Sequence, residues 1–356
     1  MAAKNWDVEF EMTNSFTEIL KPLLQEAGFE HYGFSPLENP FSIGAYEDWI
    51  HKGYHGEMEY LKTHLPFKKE PTRHFKGLQS AIVVAKPYFP NSTTPTPLRI
   101  AEYAKSRDYH LTFKEELDAV AEKLKAQFLG EEFLCFTDSA PLLERDLAYR
   151  AGLGWIGKNT CLIDRKQGSL FFLGEILTSL SLEAPKERTL DFCGKCSKCI
   201  EICPTNALEE NRILNAKKCI SYLTIESKKI PDQDLRKQMG DWFFGCDLCQ
   251  TVCPWNEKKY GKDLMQSLTE PVRFSKTSEE IESLRKILTK SNKELLSEFK
   301  ESPLSRARGF GLKRNALIVI ANQNVTELKD EVEHASRQWP RLKELCDWVL
   351  ESFHED

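Results

Sequence analysis

The sequence predicts an α+β chain in three parts, and three observations predict it. Strand-like apolar runs alternate with amphipathic helical patterns as far as about residue 185, eight of the eleven cysteines lie between Cys193 and Cys253, and from residue 263 the periodicity is helical alone. The expected parts are an amino-terminal α/β domain at 1–185, a small cysteine-held module at 186–262 and a helical region at 263–356. With 356 residues, 41% of them hydrophobic, the chain is long enough for two or three domains with substantial cores. The longest apolar runs, such as ALIVIA at 316–321, fall far short of the roughly 20 residues of a membrane span, so no membrane partner is expected. The start, MAAKNWDVEFEMTNSF, is acidic and polar with neither a basic n-region nor a twin-arginine pair, which predicts a cytoplasmic protein. A net charge of −5 argues against general affinity for nucleic acid and leaves room for a local basic patch.

In chain order, residues 14–28 place Phe16, Ile19, Leu20, Leu23 and Leu24 at helical spacing and stop at Gly28. FEHYGFSPL then reads as a short strand and turn, followed by a helix around 45–52. His51 and His55 are four apart, but Gly53 and Gly56 weaken any helix between them, and they read as surface residues. QSAIVVAKP at 79–87 is a buried strand, NSTTPTP a loop, and the later part of the segment from Arg99 to Phe128 a long amphipathic helix. FLCFTD at 133–138 is another strand that ends in the polar group Asp138-Ser139. A helix over 141–151 is expected to start with Pro141 just inside an Asp/Ser cap and to close at Gly152. The loop GLGWIGKN that follows has glycines for close backbone approach to a flat or phosphate-bearing ligand, and SLFFLGEILTSL at 169–180 is again a buried strand. Beyond 263, SEEIESLRKIL, NKELLSEF, ALIVIANQN and a last amphipathic pattern ending near His354 are helical.

The cysteines carry the chemistry. CGKCSKCIEICP places Cys193, Cys196, Cys199 and Cys203 at the CxxCxxCxxxCP spacing of a bacterial [4Fe–4S] ferredoxin. CDLCQTVCP repeats it with Cys246, Cys249 and Cys253, but Phe243 stands where the leading cysteine belongs, and Cys219 is the only other cysteine in the segment. In two-cluster ferredoxins the fourth cysteine of each run ligates the other cluster. Cluster one is therefore assigned Cys193, Cys196, Cys199 and Cys253, and cluster two Cys246, Cys249, Cys219 and Cys203, leaving Cys135, Cys161 and Cys346 dispensable. Paired CxxC motifs also bind zinc, but the triple spacing and the two CP endings favour iron–sulfur. In the tail, SRARGFGLKRNALIVIA sets Arg306, Arg308, Lys313 and Arg314 within nine residues without an acid, either a solvated face or a phosphate-binding turn.

Together, RIAEYAKSRDYH at 99–110, FTDSAPLLERDLAYRAGLGWIGKNT at 136–160, GSLFFLGEILT at 168–178 and the cluster segment with its displaced Cys219 resemble the epoxyqueuosine reductase family over nearly the whole chain. The resemblance implies a cobalamin-binding domain related to reductive dehalogenases, a two-cluster ferredoxin-like module and carboxy-terminal HEAT-like helices. It implies reduction of epoxyqueuosine to queuosine at the wobble position of a tRNA anticodon, the last step of queuosine biosynthesis. Two [4Fe–4S] clusters charged by an external low-potential donor would serve cobalamin, in a protein expected to be a monomer. Contacts to cobalamin are expected from Leu61, Ala101, Tyr103, Asp138, Ser139, Arg145, Trp155, Lys158 and Asn159, and contacts to tRNA from Arg306, Arg308, Lys313 and Arg314. Asp108-x-His110-x-x-Phe113 lacks the glycine of the DxHxxG cobalamin motif, so His110 is not expected to be a cobalt ligand. Asp138, at a strand's carboxyl end, is the expected general acid, with its pKa raised from about 3.9 by burial against the corrin; as the helix cap it would have no catalytic part. Two other classes compete. A respiratory reductive dehalogenase would normally carry a twin-arginine signal, and a simple ferredoxin-type carrier would not need some 185 residues before its cysteines.

Overall fold

A computed structural model describes residues 16–353 except 91, 92, 188, 273, 276 and 277. The expected start of the first helix at 14 and 15, the acidic terminus before it, the opening of the NSTTPTP loop and the helix end near His354 lie outside the described residues. The chain divides into two compact units: one holds the segment up to Lys52, Tyr60–Tyr88 and Tyr109–Lys195, the other Gly53–Glu59, Phe89–Asp108 and everything from Cys196 onward. No break falls near 262: from Cys196 onward the cysteine runs and the helical tail share the second unit, while Cys193 lies at the end of the first.

The first unit runs α1 (16–26), β1 (His31–Pro36) and four short helices, α2 to α5 (Ile43–His51, Glu59–Thr63, Leu65–Lys69, Pro71–His74). After β2 (Ser80–Pro87) come α6 (Tyr109–Gln127), β3 (Phe133–Phe136), α7 (Glu144–Arg150), a small hairpin of β4 (Trp155–Ile156) and β5 (Leu162–Ile163), and β6 (Phe171–Thr178). Its main sheet has the order β1-β2-β6-β3, every pair antiparallel. Alternation of strands and helices fits an α/β or an α+β domain equally; the antiparallel pairing makes this unit α+β. Both faces are covered, which is why β2 reads as a continuous apolar run. Ile82 and Val84 pack with Leu20, Leu24, Phe113 and Leu117 of α1 and α6, while Ala81, Val83 and Ala85 pack with Leu147 and Ala148 of α7. Gly174 in β6 allows α6 to lie this close, since a Cβ there would stand 2.8 Å from Leu117.

In the second unit, α8 (Lys198–Glu201), strands β7 (Leu208–Glu209) and β8 (Ile213–Leu214), and α9 (Ile220–Ile225) to α13 carry the cysteine runs: α10 is Gln233–Gln238, α11 Leu248–Thr251, α12 Pro254–Tyr260 and α13 Lys262–Ser267. The tail forms α14 (Glu279–Thr289), α15 (Asn292–Glu298), α16 (Arg308–Asn322), α17 (Lys329–Gln338) and α18 (Lys343–Ser352). The ALIVIA run lies in α16, which is buried from Gly311 to Ile320 and packs against α14, α15 and α18. His55, expected at the surface, is buried, its Nε2 3.7 Å from Glu59.

Candidate active site and cluster ligands

The first unit builds an anchored acid at the end of β3. Thr137 is buried and its hydroxyl donates to the Leu173 carbonyl at 2.9 Å, fixing the strand end. The chain then turns at Asp138 with φ 51, and α7 begins only at Glu144, three residues later than the expected Pro141 start. Leu143, not Asp138 or Ser139, occupies the N-cap position, and Gly152 closes the helix with φ 80 as expected. Asp138 is therefore not the helix cap. A left-handed residue other than glycine costs on the order of 1 kcal/mol, and here specific contacts hold it. The Asp138 N–H donates to Glu144 Oε1 at 2.6 Å, and Oδ2 accepts from Tyr109 Oη at 2.9 Å, with His110 Nε2 3.6 Å away. Tyr109 is itself fixed by stacking on His110 at 4.1 Å and Phe172 at 4.2 Å. The carboxylate nonetheless stays 61% exposed, available to a reactant.

Behind it stand groups that sequence reasoning missed. Glu175, in the middle of β6, is completely buried; Glu144 is held against Asp138, and burial, with the Asp138 charge second, pushes its pKa up to about 7. Burial, then the charges of Glu144 and Asp138, drive the Glu175 carboxyl well above the usual range. Lys68 of α4 is buried too; its Nζ donates to the Leu142 carbonyl at 2.6 Å, and burial lowers its pKa while Glu144 and Asp138 oppose the shift. The available signal was an acid in an otherwise apolar strand, SLFFLGEILTSL. Arg145 lies on the exposed side of α7 and donates from Nη1 to the Thr160 carbonyl at 2.5 Å.

The other residues expected to meet cobalamin divide by exposure. Ser139 is exposed, Leu61 is half-buried with its carbonyl accepting from Tyr46 Oη at 2.9 Å, and Lys158 donates to the Gly194 carbonyl at 2.8 Å. Trp155 and Asn159 offer almost no surface, 1% and 3%, so neither side chain can form a face for a large cofactor. Trp155 instead packs on Phe192 and donates from Nε1 to Cys193 Sγ at 3.4 Å, while Asn159 Oδ1 accepts from the Cys161 amide at 3.2 Å within its own turn. In the second unit Ala101 is 1% exposed with its amide bonded to the Phe244 carbonyl, so its side chain offers almost no surface, and Tyr103 is half-buried beside Phe244.

The cysteine module has the features that an iron–sulfur site needs. The short helices α8 and α11, one from each CxxC run, pack on each other. Cys219 and Cys253 occupy the N-cap positions of α9 and α12, where unpaired amides favour a thiolate, and Pro254 takes the first turn of α12. The Ala207 amide donates to Cys203 Sγ at 3.3 Å. Burial raises the Cys219 thiol, with the backbone amides of Tyr222 and Ser221 opposing and Cys203 adding to the rise. Cys246 is raised by burial first and then, with the Leu248 amide opposing, by Cys219, Asp247 and Cys203. Cys203, Cys219 and Cys246 thus share one neighbourhood, a donor set whose amide-supported sulfurs fit a [4Fe–4S] cluster. Phe243 is fully buried, its carbonyl accepting from Asn315 Nδ2 at 2.9 Å, so the missing leading cysteine is replaced by a core residue.

The basic run divides in two. Lys313 and Arg314 are 1% and 0% exposed. Lys313 donates to the carbonyls of Ile287, Leu288 and Lys290, and Arg314 to those of Leu223, Ser227 and Lys229. Neither can reach a phosphate; buried cations spent on carbonyls hold the unit together. Burial lowers their pKa values, Lys313 to about 8 and Arg314 to about 10. Arg314→Met should leave buried carbonyls unsatisfied and destabilise the protein by about 1–3 kcal/mol, read as a fall in the thermal unfolding midpoint. An unchanged midpoint would contradict this. Arg306 is 46% exposed and paired with Glu226 at 2.6 Å, and Arg308 is exposed.

A folded chain with two ferredoxin-type cysteine runs and an exposed, anchored carboxylate is an iron–sulfur oxidoreductase. Residues 192–256 match the 4Fe-4S double cluster binding domain, and residues 68–139 match the family described as Epoxyqueuosine reductase QueG, DUF1730. The chain is 36% identical to the epoxyqueuosine reductase of Pseudomonas aeruginosa over 335 residues, covering 92% of this chain and 91% of the relative. It is 32% identical to that of Escherichia coli over 347 residues, covering 95% and 89%. Among solved structures, an epoxyqueuosine reductase with an epoxyqueuosine-modified tRNA-Tyr stem loop matches with a TM-score of 0.80 at 26% identity, covering 96% of this chain and 91% of the other. A Bacillus subtilis epoxyqueuosine reductase, with its catalytic aspartate loop swung out of the active site, matches with the same score, identity and coverage. The chain belongs to the epoxyqueuosine reductase family.

Proposed function

We propose that this protein reduces epoxyqueuosine to queuosine in the anticodon of tRNA, with Asp138 as the general acid. The single observation that carries the assignment of Asp138 is its placement: a carboxylate on a left-handed turn, anchored by Glu144 and Tyr109 yet left exposed. The relative whose catalytic aspartate sits on a movable loop supports the same role. Opening an epoxide to an alkene takes two electrons and two protons and releases water, so an acid must stand where the oxygen leaves. The two clusters receive electrons from an external donor, and cobalamin, when bound, supplies the strong two-electron reductant. The exposed polar edge of the first unit fits such a group: Ser139 and Arg145 flank Asp138, with Leu61 and Lys158 as further contacts. His110 Nε2 points at Asp138 rather than standing ready for a metal, in keeping with a cobalt that takes no histidine from this protein. We assign tRNA phosphate contacts to Arg306 and Arg308, and a monomeric, cytoplasmic protein fits this reading.

The test is nucleoside mass spectrometry of tRNA from a strain that lacks the gene: epoxyqueuosine should accumulate and queuosine disappear. A normal queuosine level would end the assignment. Reversing the charges of Arg306 and Arg308 together should raise the KM for tRNA, most at low salt because salt screens these contacts, and leave kcat nearly unchanged; a KM equal to that of the wild type would return both residues to the solvated surface.

A further inference from the structure

Two protons are consumed in each turnover, and one exposed aspartate holds one. Directly behind Asp138 stand a second carboxylate, the part-buried Glu144, and a third, the fully buried Glu175. Glu175 pairs across the sheet with Phe136, two residues before Asp138, and with Val83 on its other side. It is 0% exposed, and neither of its carboxylate oxygens receives a hydrogen from a donor. The polar group within its reach is the Glu144 carboxyl, whose Oε1 holds the Asp138 amide at 2.6 Å. Two carboxyl groups that face each other in a buried site form a hydrogen bond only when one of them keeps a proton. The cations that face this group are Lys68 of α4 and Arg145 of α7, and Tyr109 and His110 of α6 face Asp138. Three acids against two cations are neutral with one proton retained between the glutamates and Asp138 ionised at rest; Asp138, open to solvent, takes up its own proton as turnover begins.

We propose that Glu144 and Glu175 share one proton in the resting enzyme and pass it through Asp138, so that this trio supplies both protons of a turnover. The inference rests on the reading of Asp138 as general acid. Protonated Asp138 gives the first proton to the epoxide oxygen as the carbon–oxygen bonds break and the reductant delivers two electrons. Asp138 then takes the shared proton and gives it to the same oxygen, which leaves as water. Solvent restores both protons through the exposed Asp138 carboxylate. Glu144 and Glu175 are positioning and relay residues; neither needs to touch the substrate.

Glu175→Gln tests this in the holoenzyme, because glutamine keeps the shape and can still bond to Glu144 but cannot share an acidic proton. Infrared spectra of the wild type should show a protonated-carboxyl C=O band that shifts in D2O and is lost in the variant. Its kcat should fall by about tenfold or more, with the KM for tRNA unchanged. The alkaline limb of the pH–rate profile, where the pair loses its proton, should move to lower pH. Glu144→Gln retains an acceptor for the Asp138 amide and should do the same, which covers the case in which the Glu175 variant does not fold. A persistent band, or a wild-type kcat and alkaline limb in both variants, would overturn the relay. Asp138→Asn separates the two readings. It should lower kcat by about 10²–10⁴-fold and keep the band; a fully active Asp138→Asn enzyme would remove the general acid itself, whereas a crippled one beside fully active Gln variants would remove only the relay.

Discussion

Asp138→Asn is expected to fold, to retain both clusters and to lower kcat by about 10²–10⁴-fold, the usual contribution of a positioned acid. Asparagine suits the left-handed turn as well as aspartate does, because both tolerate positive φ. Its side-chain oxygen can still accept from Tyr109, and its amide can still donate to Glu144, so the turn keeps its anchors. What disappears is the transferable proton. Single-turnover assays with pre-reduced enzyme and substrate tRNA isolate that step from electron delivery. Near-normal turnover would reduce Asp138 to a structural residue. The comparison is cleaner than it would be at a helix cap, since Asp138 caps nothing here and α7 starts six residues further on.

Cys219→Ala should cost one whole cluster, about four of the eight irons of two [4Fe–4S] centres, and with it all turnover that depends on electrons passing through both. The reason is local. Cys219 caps α9 with amides directed at its sulfur and lies beside Cys203 and Cys246, while the place of the missing leading cysteine is taken by the fully buried Phe243. Cys346→Ala, in a buried position of the last helix, is the control and should keep both clusters. Iron and sulfide analysis of anaerobically purified protein decides it. A full iron content in Cys219→Ala would require another fourth ligand.

Much of this was legible in the sequence because it depends on short-range patterns. The cysteine runs, the apolar strands β2 and β6, and the helices α6, α14 and α16 all follow from spacing over a few residues. The start of α7 did not, because proline and serine after Asp138 look like a helix entry, whereas the chain spends Ser139 to Leu143 on a turn that a distant side chain, Tyr109, helps to fix. The roles of Lys313 and Arg314 were equally hidden. A basic run reads as surface charge unless one knows that carbonyls more than eighty residues earlier in the chain, those of Leu223 and Ser227, converge on it. The Glu144–Glu175 pair depends on two elements meeting in space, which no periodicity encodes. Trp155 and Asn159 show the same dependence from the other side: in a glycine-rich loop their side chains are buried, Trp155 against Phe192 and Cys193 and Asn159 in its own turn.

The placement of α16 bears on how the protein matures. Asn315 holds the carbonyls of Thr224 and Phe243, Arg314 that of Leu223, and Asn322 those of Arg236 and Gly240. These bonds clamp the backbone between Cys219 and Cys246 without using iron, unlike a zinc finger, whose loops have no shape until the metal binds. On the ribosome, however, α16 emerges only after every cluster cysteine has been made. The stretch between Cys219 and Cys246 therefore gains these bonds only once α16 is made, and the order of events favours a finished apoprotein that receives its iron and sulfide afterwards, over insertion during synthesis.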